Sequence, residues 1–166
     1  MPKNFPSRPT TDYAKEGLFN ILENKIDLED LNILDLCAGT GNISFEFLSR
    51  EAGKVTAIDI HLNCLRFIRK NAEELQISED IRTVRMDILH FLKLTEEQYD
   101  IIFVDPPYVY GGYDELIRLV FERNLLKEDG LLIIEHGRDT KLEDKTQFDI
   151  LRTFGNVYFS FFSNRT

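Results

Sequence analysis

Basic charge is scarce in this chain. Twenty Lys and Arg stand against 29 Asp and Glu, a formal net charge of −9. That excludes a broad electropositive face of the kind that holds nucleic acid without regard to sequence. Cysteine is scarcer still. Cys37 and Cys64 are the only two, one in a strand-to-turn segment and the other in a predicted helix. A disulfide framework is therefore not expected, whereas reduced thiols and a cytoplasmic protein are. No apolar run approaches the length of a membrane span, and the N-terminus has no signal-peptide core, so no membrane partner is expected. His61, His90 and His136 share no metal-ligand spacing with one another or with cysteine, and no metal is expected. Repeats and low-complexity tracts are also missing. With 43% hydrophobic and 30% charged residues, a chain of 166 residues fits one globular domain with a sizeable core.

What is present is organised around Ile33-Leu34-Asp35-Leu36-Cys37-Ala38-Gly39-Thr40-Gly41. It reads as a short buried strand entering a glycine turn, with a helix after it. Gly39 and Gly41 let a ligand approach the backbone closely, at the first strand-to-helix loop where doubly wound sheets bind nucleotides. A dinucleotide site calls for G-x-G-x-x-G, and the third glycine is replaced by Ser44. Asp35 would repel a pyrophosphate one turn away. It suits S-adenosylmethionine, which has no phosphate and carries an ammonium and a sulfonium. Asp59 closes a second strand eighteen residues after Gly41, where a carboxylate can accept from both ribose hydroxyls. Together these residues mark a methyl-donor site, with Cys37 in the turn and Ile60 after Asp59 counted among its cofactor-binding residues.

Pro2, Pro6 and Pro9 predict an extended segment over residues 1–11, ahead of a single domain over 12–166. Thr10, Thr11 or Asp12 can cap the helix that follows, whose apolar face is Ala14, Leu18, Ile21 and Leu22. Gly17 weakens this helix and permits close packing. Strand and helix then alternate. Strands are predicted over Ile33–Cys37, Val55–Asp59, Ile81–Met86, Tyr99–Val104 and Leu131–Glu135, with helices over Asn42–Glu51, Leu62–Leu75, Ile88–Leu92 and Tyr113–Asn124. Phe148–Thr153 and Val157–Phe162 close the chain as a hairpin through Phe154-Gly155-Asn156. The fold class is α/β, a doubly wound and mostly parallel sheet with a C-terminal antiparallel hairpin. Asp35, Gly39, Asp59, Asp87 and Asp105 all fall at or near carboxyl ends of strands, where ligands of such sheets lie.

The sharpest motif is Asp105-Pro106-Pro107-Tyr108, directly after the fourth strand. Two successive prolines remove two N–H donors and fix a rim of carbonyl oxygens and a carboxylate. An exocyclic NH₂ on a planar base is a poor nucleophile because its lone pair is delocalised. Acceptors aimed at its hydrogens favour a pyramidal nitrogen and stabilise the charge that develops there. The Asp105 carboxylate and Pro106 carbonyl suit that role, and Tyr108 offers a ring for stacking on the base. Asp87 could accept from an adenine amino group with Ile88 on the ring, or could cap a helix. His136 is a candidate behind the cleft. Tyr110, Gly111, Gly112 and Tyr113 form an aromatic loop that closes over a base or is simply a turn.

Arg8-Pro9-Thr10-Thr11-Asp12, Leu18-Phe19-Asn20-Ile21-Leu22, Asp35 to Gly41 and Asp105 to Tyr108 follow one another in this order. In this the chain resembles the RsmD family, guanine-N2 methyltransferases of small-subunit (16S) ribosomal RNA. The resemblance implies a seven-stranded methyltransferase fold, S-adenosylmethionine as donor, S-adenosylhomocysteine as product, and small-subunit ribosomal RNA or a subunit precursor as partner; a monomer is expected. It also implies that Asp35, Gly39, Gly41, Asp59 and Asp87 bind the donor and that Asp105 to Tyr108 hold the guanine. Arg8, Thr10 and Thr11 would then lie over the cleft and touch substrate. The alternatives are an amino-directed methyltransferase of DNA adenine or cytosine or of protein glutamine, and a non-catalytic donor-binding assembly factor.

Overall fold

The computed structural model describes residues 10–107 and 110–164. The expectations for Arg8 and Tyr108 lie outside them. The elements run α1 Asp12–Lys25, β1 Asn32–Leu36, α2 Asn42–Ser49, β2 Lys54–Asp59, α3 Leu62–Glu74 and β3 Ile81–Arg85, then α4 Ile88–Leu94 and β4 Tyr99–Val104. They continue with α5 Tyr113–Glu122, β5 Leu126–His136, β6 Phe148–Phe154 and β7 Val157–Phe162. The described strands form one seven-stranded sheet in the order β3-β2-β1-β4-β5-β7-β6. β1 pairs in parallel with β2 and β4, and β4 with β5. β7 runs antiparallel to both β5 and β6, as the terminal hairpin predicts. Gly155 takes a left-handed φ of 64° in the two-residue turn of that hairpin.

Inner strands read as nearly continuous apolar runs because both sheet faces are covered. Ile33, Val55, Phe103, Ile133 and Phe159 pack under Leu18, Phe47, Leu65 and Ile68 of α1, α2 and α3. Leu34, Leu36, Ile102, Leu132 and Ile134 pack under Leu92, Leu116 and Val120 of α4 and α5. Helices on both faces leave the carboxyl ends of β1, β2, β4 and β5 opening into one cleft.

Several boundaries differ from expectation, most by one or two residues, and two differences have a cause in the backbone. β1 ends at Leu36 rather than Cys37, because Cys37 adopts φ 58° and turns the chain. β5 begins at Leu126 rather than Leu131. Its extra residues include Asp129 at φ 63°, and the pairing with β4 shifts register between Tyr99 and Ile101. A bulge of this kind accommodates the polar Lys127-Glu128-Asp129 run at the rim of the sheet.

Gly17 does permit close packing. A Cβ there would overlap the Phe154 ring, which lies 6.0 Å from the Phe159 ring and edge-on to Tyr13 at 5.7 Å. Gly17→Ala is expected to destabilise the protein by about 1–2 kcal/mol: roughly 1–3 lost to overpacking against about 1 gained in helix propensity. In a Phe154→Ala background the obstacle is gone, and the same change stabilises. Urea unfolding of the four proteins in this cycle checks the reversal of sign.

Candidate active site

The turn after β1 is fixed by backbone geometry. The Ala38 N–H donates to the Ile58 carbonyl at 2.9 Å, and the Gly41 N–H donates to the Ala38 carbonyl at 2.9 Å. Gly39 and Gly41 have φ of 58° and 84°. Gly41 is the N-cap of α2, and a Cβ there would stand 2.9 Å from both Ile68 and Phe45 side chains. Glycine is thus required at Gly41 twice over, by φ and by packing.

Asp59 faces this turn from the end of β2. One carboxylate oxygen accepts from the Gly39 N–H at 2.9 Å and the other from the His61 N–H at 2.8 Å. Both oxygens are held in place and keep acceptor capacity toward the cleft. Asp35 is 1% exposed and accepts from the Ser44 hydroxyl at 2.6 Å. Burial pushes its carboxyl up from 3.8 to about 7, against the Ser44 hydrogen bond, and the negative charges of Asp59 and Glu135 add to the rise. Ser44, which breaks the dinucleotide pattern, is therefore the partner of this acid. Burial also pushes the Cys37 thiol far up, with Asp59 and Asp105 contributing, so the thiol stays protonated. Asp87 caps α4, accepting from Leu89 and His90 N–H groups at 3.1 and 3.2 Å through one oxygen. It also lines the cleft, so capping and an adenine contact are compatible. Ile60 is 52% exposed and Ile88 buried, giving two apolar surfaces beside it.

The other half of the cleft belongs to β4, β5 and the strap leading into α1. Asp105 follows Val104, which pairs with Ile134, so Asp105 and Glu135 extend from neighbouring strands. Pro106 is buried and Pro107 exposed. The Pro107 carbonyl accepts from the Tyr110 N–H at 3.0 Å, which commits that oxygen to the turn and leaves Asp105 and the Pro106 carbonyl as the rim. The Tyr110 hydroxyl is buried without a hydrogen-bond partner among the described residues, and its ring meets Tyr113 edge-on at 5.2 Å.

Thr10 and Thr11 line the cleft, and their hydroxyls are already engaged within the protein. The Thr11 hydroxyl caps α1 by accepting from the Ala14 N–H at 3.2 Å. The Thr10 hydroxyl donates to Glu135 at 2.6 Å, and its carbonyl accepts from Asn42 at 3.2 Å. Lys15 donates to Asn42 at 3.0 Å and pairs with Glu46 at 3.3 Å. These contacts strap the chain start across the glycine turn. Glu135 is a residue that sequence reasoning places at a strand end without a role. The usable signal is an acid closing an apolar strand, the same one that marks Asp59 and Asp105. His136 is buried, which lowers its pKa. One ring nitrogen meets the Gly137 carbonyl at 2.9 Å and the other the Ser160 hydroxyl at 2.7 Å. It braces β5 against β7.

Together these groups enclose about 650 Å³, within the range of small-molecule sites. The residues present fit S-adenosylmethionine. Asp35 is an acid suited to a cation, Asp59 is a fixed double acceptor for a diol, Gly41 admits no side chain, and Ile60 and Ile88 offer apolar surface to a flat ring. Among the described residues no group of three or more His, Cys, Asp and Glu could hold a metal ion, and no helix is long and apolar enough to cross a membrane.

Comparison with known proteins agrees with this architecture. The family model described as "Conserved hypothetical protein 95" matches residues 1–163. Ribosomal RNA small subunit methyltransferase D of Haemophilus influenzae is 34% identical over 162 residues, 95% of this chain and 83% of that protein. Its Escherichia coli counterpart is 34% identical over 135 residues, 81% of this chain and 67% of that protein. Among solved structures, a methyltransferase from E. coli superposes with TM-score 0.82 at 28% identity, covering 95% of this chain and 88% of that one. A methylase from H. influenzae superposes with TM-score 0.78 at 32% identity, covering 94% and 99%. The fold and about a third of the sequence are thus shared with these proteins, and the chain belongs to the ribosomal RNA small subunit methyltransferase D family.

Proposed function

We propose that this protein methylates the exocyclic N2 amino group of a guanine in small-subunit ribosomal RNA, with S-adenosylmethionine as donor, as a cytoplasmic monomer. The observation that carries the reading is the placement of the Asp105-Pro106 rim and the Asp59-anchored glycine turn in one cleft, on adjacent strands β4 and β1. The names of the family's relatives support ribosomal RNA as the partner. S-adenosylmethionine supplies an electrophilic methyl group on a sulfonium. The protein's own work is positioning and electrostatics. Asp59 would take the ribose hydroxyls, Asp87 the adenine amino group and Asp35 the donor's ammonium. Across the cleft, the Asp105 carboxylate and Pro106 carbonyl would accept the two N2 hydrogens. That localises the nitrogen lone pair and stabilises the positive charge it gains. The surplus proton has the Asp105 carboxylate as its acceptor.

The test is methylation of small ribosomal subunits and of protein-free small-subunit RNA by the purified enzyme, read by mass spectrometry of nucleosides. N2-methylguanosine is the expected product. Label in N6-methyladenosine, or in protein glutamine, would overturn the guanine assignment. Calorimetric titration with S-adenosylhomocysteine and with NAD tests the donor separately, and tighter binding of NAD would overturn that part.

A further inference from the structure

The cleft is acidic on nearly every side. Asp35, Asp59, Asp87, Asp105, Glu135 and Asp139 line it. Among the described residues Arg138 is the only lysine or arginine that does so, and it makes no ion pair. We propose that Arg138 is a phosphate hook, the residue that takes a backbone phosphate next to the nucleotide whose base enters the cleft. The proposal rests on the reading of the substrate as RNA.

Position favours this assignment. β3, β2 and β1 carry the proposed donor half, and β5 lies on the far side of β4 from them. Arg138 follows β5 by two residues, so it stands at the lip of the acceptor half. The backbone that carries it is pinned at both ends. His136, just before it, is bonded to the Gly137 carbonyl and to Ser160. Thr140, just after it, hydrogen-bonds Tyr113 at the start of α5, and the Thr140 N–H closes a turn onto the Gly137 carbonyl at 3.4 Å. Leu142 then anchors the segment in the core. The backbone is fixed while the Arg138 side chain is exposed.

Electrostatics supply the reason for a cation at this point. A nucleotide offers a base, which acidic acceptors can bind through its N–H groups, and a phosphate, which they repel. A carboxylate-lined interior with one guanidinium at its lip admits the base and keeps the backbone outside. Guanidinium is suited to this because its planar fork meets phosphate oxygens in pairs. In a chain of net charge −9, one local contact of this kind gives purchase on RNA without a basic face.

The experiment is steady-state methylation of small-subunit RNA by wild type, Arg138→Ala, Arg138→Lys and Lys141→Ala over a series of salt concentrations. Lys141 is the control, exposed and outside the cleft lining. Arg138→Ala is expected to raise the KM for RNA about tenfold, with kcat and the affinity for S-adenosylhomocysteine little changed. It should also make the logarithmic salt dependence of RNA binding shallower by about 0.7, the value of one phosphate contact on a single strand. Arg138→Lys keeps the charge and restores the salt slope while recovering only part of the KM. An unchanged KM and slope in Arg138→Ala would overturn the proposal. So would an equal loss in Lys141→Ala, which would assign the effect to net charge. If wild type methylates no RNA at all, it is the proposed substrate that fails, a different outcome from either.

Discussion

Asp105→Ala is expected to slow methyl transfer by about 10²–10³-fold, on the order of 3–4 kcal/mol, while S-adenosylhomocysteine binds as it does to wild type. The expectation follows from where Asp105 stands. It begins the rim after β4, and the next carbonyl available to a substrate is that of Pro106, because the Pro107 oxygen is already bonded to the Tyr110 N–H. Proline at both following positions leaves this stretch without N–H donors. A nitrogen entering beside Asp105 and Pro106 would face a carboxylate and a carbonyl oxygen. Acceptors matter little to a neutral amino group and much to one acquiring positive charge, so the loss falls on kcat more than on substrate affinity. Asp105→Asn keeps an acceptor oxygen but loses the charge and should fall between. Single-turnover methylation of small-subunit RNA, with donor affinity measured alongside, separates the cases. A wild-type rate in Asp105→Ala with donor bound normally would make the rim structural and this mechanism wrong.

The acids at the strand ends were legible because the pattern that marks them is local. Asp35, Asp59 and Asp105 each interrupt or close a run of apolar residues, and an acid in that place is either costly or useful. The doubly wound order was legible for a related reason: Ile101-Ile102-Phe103-Val104 is apolar at every position, as only a strand covered on both faces can be. Features that depend on distant residues were not. The Thr10 hydroxyl meets Glu135 across 125 positions of sequence, and no periodicity encodes that contact. The start of β5 failed for a different cause. Lys127-Glu128-Asp129-Gly130 has the composition of a turn and takes no partner in β4, yet Leu126 pairs with Tyr99 before it and Leu131 with Ile101 after it, so the strand spans it as a bulge. Tertiary pairing outweighs local preference there. Asp35 shows the boundary within one residue. Its place beside Leu34 and Leu36 was readable, but its state of charge depends on how completely the fold excludes water from it.

That state of charge sets the second large effect. The Asp35 carboxyl is pushed from 3.8 to about 7 in the folded protein, mainly by burial. The folded state therefore holds this proton more tightly than the unfolded state does. The stability it contributes is fully present below about pH 4 and is lost as pH rises to about 7. Its upper bound is roughly 4 kcal/mol, from about 1.4 kcal/mol for each pH unit separating the folded and unfolded values. Asp35→Asn removes the titration but keeps an oxygen to accept from the Ser44 hydroxyl. Its stability relative to wild type is expected to climb between pH 4 and pH 8 by up to that amount, a melting-temperature gain on the order of 10 °C at the alkaline end. Differences between the two proteins cancel the titration of all other groups, so the slope of the difference belongs to Asp35. A protein that keeps a buried carboxylate at this cost gains something from it when a cation binds beside it. The proposed occupant is the donor's ammonium, which favours the ionised acid. Affinity for S-adenosylhomocysteine should then rise by up to about tenfold per pH unit below pH 7, with a proton released on binding, and level off above it. Asp35→Asn should bind weakly and flatly across the same range. Thermal unfolding and calorimetry at matched pH values measure both halves. Parallel stability profiles for the two proteins from pH 5 to pH 8 would show that Asp35 does not titrate there, and donor affinity in the wild type would then be flat as well.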